Sequence, residues 1–177
     1  MLLTWRCLAI RDAGAGARKG LILRAHWPAH DGVDYVGNDV EPPEGVEVGT
    51  AEEYERLRIE AGWPKMGAEL TEKTIPAETG IVDRAVSFTK GCFTGQELVA
   101  RIDSRGGNVP RHLCGIEAQE ASLAVGAALT RDGKQVGTIT SASGSIGLAY
   151  VSRDVEMPAD LALDAGTVRA IALPFPS

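Results

Sequence analysis

Lys90-Gly91-Cys92-Phe93-Thr94-Gly95-Gln96-Glu97, running on into Leu98-Val99-Ala100-Arg101-Ile102, is the stretch on which the reading of this chain turns. Thr94 and Glu97 stand three apart in the pattern of a capping box, in which the hydroxyl takes the Glu97 N–H and the carboxylate reaches back to the Thr94 N–H. A helix is therefore predicted just after Thr94, with Leu98 and Ile102 as its buried stripe, Val99 at the edge, and Gly106-Gly107-Asn108 stopping it. Cys92 then precedes a helix N-terminus, where unpaired amides and the positive end of the dipole favour a thiolate, and Lys90 adds a cation. Gly91 and Gly95 permit φ > 0 and let another group approach the backbone closely. One reading is an exposed, activated sulfur. The other is a small buried cysteine filling a strand-to-helix corner.

The octapeptide from Lys90 to Glu97 resembles the signature of the YgfZ proteins, folate-binding relatives of the glycine-cleavage T-protein aminomethyltransferases that support iron–sulfur enzymes. At the corresponding place the aminomethyltransferases usually carry an acidic residue, so Cys92 itself separates the two branches. The resemblance implies iron–sulfur maintenance rather than glycine cleavage. It makes Cys92 a reactive thiol or a transient cluster ligand.

Length and composition bound the alternatives. At 177 residues the chain holds one ordinary domain or two small ones, with enough length for a real core. Apolar residues at 44% and charged residues at 24% are the proportions of a globular protein. With 5% aromatic residues, a net charge of −6 and a pI near 5.1, the chain is a poor match to a general nucleic-acid binder. Between Lys90 and His112, the cations Lys90, Arg101, Arg105 and Arg111 outnumber Glu97 and Asp103; a solvated loop and a surface for an anion are both open. The three cysteines, Cys7, Cys92 and Cys114, are odd in number and lack CxxC spacing, which fits a reducing cytoplasm better than a disulfide framework. The apolar run from Met1 to Ile10 is short and broken by Arg6, and reads as neither signal peptide nor membrane span. The Ala/Gly run at residues 13–17 reads as a loop.

Taken in order, Gly20 to Trp27 reads as a buried strand, paired in a hairpin with Val33 to Gly37. Pro28 lies between His26 and His30, so the two share no assumed helical face, and zinc finds no support. Residues 38–49, with Pro42-Pro43, form a connection. Thr50 opens a second capping box with Glu53, followed by a stripe of Tyr54, Leu57 and Ala61, and Gly62 and Pro64 end the helix. Glu60 falls in the last turn, beside that stripe and at the unfavourable end of the dipole, a weak pointer to a ligand-holding carboxylate against the default of a solvated charge. Residues 67–87 read as a link that ends in a short strand-like Ala85-Val86-Ser87-Phe88. After Pro110 the pattern changes to short strands with turn signals: His112 to Ile116, Ala127 to Thr130, Gln135 to Thr140, Ile146 to Val151 and Val168 to Leu173. Asp132-Gly133 marks a hairpin, and the whole suggests a small barrel or sandwich. His112 and Cys114 fall on one face of their strand, where a packed cysteine and a metal site shared with Cys92 are both open.

Leu57-Arg58-Ile59-Glu60-Ala61-Gly62, then Pro64, Gly67, Glu69-Leu70 and Thr74-Ile75-Pro76-Ala77-Glu78, is similar to the same family's second motif block. The resemblance implies an α+β chain: a partial aminomethyltransferase-like folate-binding domain over residues 1–109, then a C-terminal antiparallel β-barrel over 110–177. It implies tetrahydrofolate as cofactor, with Glu60 holding the pterin ring and Lys90 in the folate pocket. A carboxylate suits that task because it accepts two N–H bonds from the pterin's guanidine-like edge. The likeness runs from about Gly20 to Leu173, and family members are close to twice as long. The implied partners are iron–sulfur enzymes or carrier proteins and a separate N-terminal half, which the edges of the Gly20–Tyr35 hairpin could receive. The competing activity is a tetrahydrofolate-dependent aminomethyltransferase. Turnover of folate with an aminomethyl donor would favour it.

Overall fold

A computed structural model of the chain describes residues 6–12, 20–119, 122–164 and 166–176. Its first element is a three-stranded antiparallel sheet of β1 (Arg6–Arg11), β2 (Leu21–His26) and β3 (Asp31–Gly37), in the order β1-β3-β2. The expected hairpin is β2–β3, pairing Leu21 with Val36 through His26 with Asp31. The run before Arg11, read only as a short apolar stretch, supplies β1, whose Arg6 pairs with Gly37 and Arg11 with Gly32. The expected loop at residues 13–17 lies outside the described residues.

Ile10 and Tyr35 are buried and pack with Val40 as the small core of this sheet. The expectation of a buried β2 is corrected: Leu21, Ile22 and Leu23 are 50%, 46% and 46% exposed. Only Ala25 of that strand is buried. Three consecutive apolar residues suit a strand covered on both faces, but β2 is an edge strand.

Helix α1 spans Ala51–Glu60 and begins where its capping box predicts. The Thr50 N–H donates to Glu53 Oε2 at 2.6 Å and the Glu53 N–H to Thr50 Oγ1 at 3.2 Å. Of the expected stripe Ala61 is buried, Leu57 half-buried and Tyr54 exposed, and the buried side extends instead over Arg58 and Ile59. The reason lies across the contact. Ile59 packs with Leu113, Leu148, Tyr150 and Phe175 on the outside of the barrel, and Arg58 meets polar partners there.

A 3₁₀ turn at Pro76–Thr79 and a one-turn helix α2 (Val82–Ala85) follow, so Ala85 closes a helix and the expected strand at residues 85–88 does not form. Helix α3 spans Gln96–Asp103. Its predicted Thr94–Glu97 capping box is absent: Gly95 takes the N-cap in the left-handed region at φ 85°, and the Phe93 N–H donates to Gln96 Oε1 instead. The buried stripe shifts accordingly to Val99, with Ile102 half-buried and Leu98 exposed. As predicted, the helix stops at a glycine pair, Gly106 and Gly107, both at positive φ.

From Arg111 onward six strands close an antiparallel barrel: β4 (Arg111–Ala118), β5 (Ala128–Arg131), β6 (Lys134–Ser143), β7 (Ile146–Ser152), β8 (Ala159–Leu163) and β9 (Gly166–Ile171). The order round the barrel is β4-β7-β6-β5-β8-β9. Asp132 and Gly133 join β5 to β6 in a two-residue turn with φ of 53° and 73°, the paired positive values of a type I′ hairpin. Cys114, Ile116, Leu129, Ile139, Leu161 and Val168 are among the side chains that fill the interior. Gly115 lets Phe175 lie flat against β4, since a Cβ there would come within 2.9 Å of its ring. Among the described residues no helix is long and apolar enough to cross a membrane.

A bulge joins the barrel to α1. β6 pairs Ile139 with Ala149, both inside the barrel, and then shifts register so that Ser141 pairs with Leu148 on the outer face. Two residues on, an unbroken strand would have kept Ser141 inside; the extra residue re-aims it. Arg58 Nη2 donates to Ser141 Oγ at 2.6 Å, and Ser141 Oγ donates to Glu69 Oε1 at 2.6 Å. Glu69 Oε2 accepts the Lys65 N–H at 3.0 Å and lies 3.3 Å from Arg58 Nη1. The Tyr150 hydroxyl donates to the Glu69 carbonyl at 2.9 Å. With Arg58 only 3% exposed and Glu69 fully buried, each charge depends on the other side of this junction.

Candidate functional site

Glu60 ends α1 and its carboxylate is held from two sides. Arg56, one turn earlier, places Nε 2.9 Å from Oε1, while His30 Nε2 lies 3.7 Å from Oε2. His30 is itself positioned by Asp12, at 2.7 Å from Nδ1. The carboxylate lines a groove of about 520 Å³ between the sheet and α1, with apolar walls from Leu8, Ile10, Pro43, Val48 and Leu57. That volume lies in the range of small-molecule sites, roughly 300–1,000 Å³. A pterin fits it chemically as well: a flat ring system against apolar walls, with the Glu60 carboxylate to accept its N–H edge, and Glu47 and Glu53 also on the lining.

Beside the groove stands a group that periodicity did not reveal. The Arg11 side chain is 3% exposed, pairs with Asp34 at 2.9 Å, and lays its guanidinium over the Trp27 ring at 4.3 Å and nearer Tyr54 at 5.8 Å. Trp27 and Tyr54 in turn pack with centroids 5.2 Å apart. Arg11 thereby ties β1 to α1 by ion pairing and cation–π contact. In the sequence Arg11 is only the charge that follows the apolar run Cys7-Leu8-Ala9-Ile10, which carries no trace of this contact.

The cysteine loop lies elsewhere. Cys92 is exposed, three residues before the N-cap of α3, so the helix dipole, which fades within the first turn, acts on it less than the predicted cap implied. Lys90 is also exposed; its backbone N–H donates to Ser87 Oγ at 3.3 Å and its Nζ lies 5.2 Å from the Phe93 ring centre. Neither residue lines the groove beside Glu60. The structure thus places Glu60 in a groove and leaves Lys90 and Cys92 on a solvent-facing loop.

The other two thiols differ from Cys92. Cys114 is buried inside the barrel, its Sγ donating to the Ala149 carbonyl at 3.4 Å, and burial pushes its thiol up to about 12. Cys7 is exposed like Cys92, but such desolvation as it has, and then the Asp34 carboxylate, raise its thiol above the ordinary value, with Arg11 opposing. Among the described residues, no group of three or more His, Cys, Asp or Glu side chains is placed to hold a metal ion.

Comparison with known proteins agrees with this layout. Residues 111–174 match the family described as CAF17, C-terminal beta-barrel domain. A protein of Arabidopsis thaliana named as a chloroplastic transferase is 36% identical over 106 residues, 56% of this chain and 24% of that protein. The tRNA-modifying protein YgfZ of Serratia proteamaculans is 36% identical over 107 residues, 56% of this chain and 32% of that one. YgfZ of Yersinia pestis is 51% identical over 53 residues, 29% of this chain and 16% of that one. The matched segments therefore span about a third or less of these relatives. The glycine cleavage system aminomethyltransferase T of Bartonella henselae superposes with a TM-score of 0.64 at 20% identity, over 88% of this chain and 49% of that one, a likeness of fold. Residues 111–174 are thus similar to the CAF17 C-terminal barrel, part of the chain is similar in sequence to YgfZ proteins, and the fold is like that of the aminomethyltransferases.

Proposed function

We propose that this protein is a folate-binding accessory factor for the assembly or repair of iron–sulfur enzymes, tRNA-modifying ones among them, and that it acts through the Cys92 thiol. The observation that carries the reading is the placement of Cys92: an exposed sulfur on the Lys90–Glu97 loop, while Cys114 is sealed in the barrel. Thiolate is the form that exchanges sulfur or ligates iron. A single thiolate holds no iron–sulfur cluster alone, so an enzyme or carrier protein supplies the remaining ligands to a cluster in transit.

Tetrahydrofolate is the cofactor of this reading. Glu60 accepts the pterin N–H edge, Leu57 and Ile10 cover the ring, and Arg56 with His30 orients the carboxylate. Lys90, on the exposed loop, offers a cation to the carboxylate end of the same molecule. A further half of the aminomethyltransferase-type fold, in the same polypeptide or another, is a proposed partner. The open edge of β2 with Leu21, Ile22 and Leu23 is the surface proposed to receive it. A reducing cytoplasm is the proposed setting.

The test is tRNA methylthiolation in a bacterial strain lacking its own YgfZ-type protein. The native chain is expected to restore the modification, Cys92→Ser to lose that ability, and Glu60→Gln to weaken it together with folate binding. Equal rescue by native and Cys92→Ser chains would refute the thiol role.

A further inference from the structure

The barrel is closed, but its wall is parted at one seam. β4 pairs with β7 from Arg111 to Glu117, yet with β9 only from Gly115 to Ala118. β9 ends at Ile171, and the chain beyond it turns toward α1, where the Phe175 N–H donates to the Glu60 carbonyl at 3.2 Å. Pro174, without an N–H, cannot extend the ladder. The Arg111–Cys114 half of β4 thus has an open edge on the β9 side, and a cavity of about 450 Å³ occupies the gap. Barrel mouths and junctions between packed units are where small-molecule sites concentrate, and this volume is ordinary for one.

Its lining has an unusual charge balance. Leu113, Val151, Val155, Met157 and Leu173 give it apolar walls, and Arg84 and His112 bring polar groups to it. No Asp or Glu is among its described lining residues, in a chain with 24 acidic residues and a net charge of −6. The groove beside Glu60, by contrast, is lined by Glu47 and Glu53 as well. Arg84 spends one N–H on the His26 carbonyl at 2.8 Å. His112 lies on the same face of β4 as Cys114, and its imidazole has no hydrogen-bond partner among the described residues. A cation and an unengaged imidazole, with no opposing carboxylate in a largely apolar recess, favour an anion over a neutral or cationic guest.

We propose that this seam cavity binds a small molecule with an apolar body and one carboxylate. The body fills the space between Val155, Met157 and Leu173, and the carboxylate takes hydrogen bonds from Arg84 and His112. Binding here needs neither Glu60 nor Cys92, so the site stands apart from the folate reading.

The test titrates the 177-residue chain with 2-naphthoate and, as neutral isostere, 2-naphthamide, followed by calorimetry and by amide NMR shifts. The acid is expected to bind saturably and about tenfold or more tighter than the amide, with shifts at His112, Val151 and Met157. Arg84→Gln, an exposed position, is expected to weaken the acid about tenfold and leave the amide unchanged. Ala172→Trp, exposed on the cavity rim, should abolish binding of both, and Glu60→Gln should alter neither. Equal affinities, indifference to Arg84→Gln, shifts centred on the groove beside Glu60, or no binding of the acid would each overturn the proposal.

Discussion

The barrel and the front of the molecule are built to opposite specifications. In the barrel, six strands share one filled interior, and Leu129, Leu161, Ile116 and Ile139 are almost wholly removed from solvent. In the front, a three-stranded sheet keeps a core of three buried side chains, leaves Leu21 to Leu23 half-exposed on an edge, and carries Lys90 and Cys92 on an open loop. Stability concentrates where no chemistry is proposed, and the reactive groups sit where packing is thin. The two regions are fastened by the Arg58–Ser141–Glu69 chain, so the front borrows order from the barrel.

The contrast breaks most severely at that fastening. Glu69→Ala leaves Arg58 buried with one carboxylate partner fewer and Ser141 without an acceptor; a loss of about 3–5 kcal/mol in urea unfolding is expected. Leu129→Ala, in the barrel interior, is expected to cost about 2–5 kcal/mol by the same measurement. A smaller effect is titratable. Cys114, raised from 9.0 to about 12, favours the folded state while protonated. Its contribution is complete below pH 9 and is lost as pH rises from 9 toward 12, reaching about 1.4 kcal/mol of lost stability by pH 10. Cys114→Ala should flatten this alkaline limb, leaving the later contribution of Tyr150, whose hydroxyl burial also pushes up to about 12. At the other extreme, Ile22→Ala on the open edge is expected to change stability by less than about 0.5 kcal/mol. A cost as large as that of Leu129→Ala would show that β2 is covered in solution.

The same contrast decides what could be read from the chain. Elements fixed by local chemistry were legible: the Thr50–Glu53 box gave α1 its start, and Asp132-Gly133 gave the β5–β6 hairpin. Elements fixed by distant partners were not. β8 was missed because Pro158 precedes it and its short alternation carries no turn signal of its own, while β1 is recognisable only by its pairing with β3. The buried face of α1 was misjudged because Arg58 is buried by a serine 83 positions away, which a bulge turns outward. At the thiol loop, Thr94 and Glu97 had the spacing of a cap, but Gly95 took the left-handed conformation and moved the helix start past Thr94. Exposure of Cys92 and placement of Glu60 in a groove were among the alternatives left open, and backbone geometry alone distinguishes them.

The most direct test of this division of labour is competitive labelling of the three thiols in the native chain with iodoacetamide at neutral pH, read by mass spectrometry. The account predicts that Cys92 reacts first, Cys7 more slowly, and Cys114 only after the barrel is unfolded by denaturant. A protected Cys92, or a Cys114 that labels at the same rate in the folded protein, would contradict it.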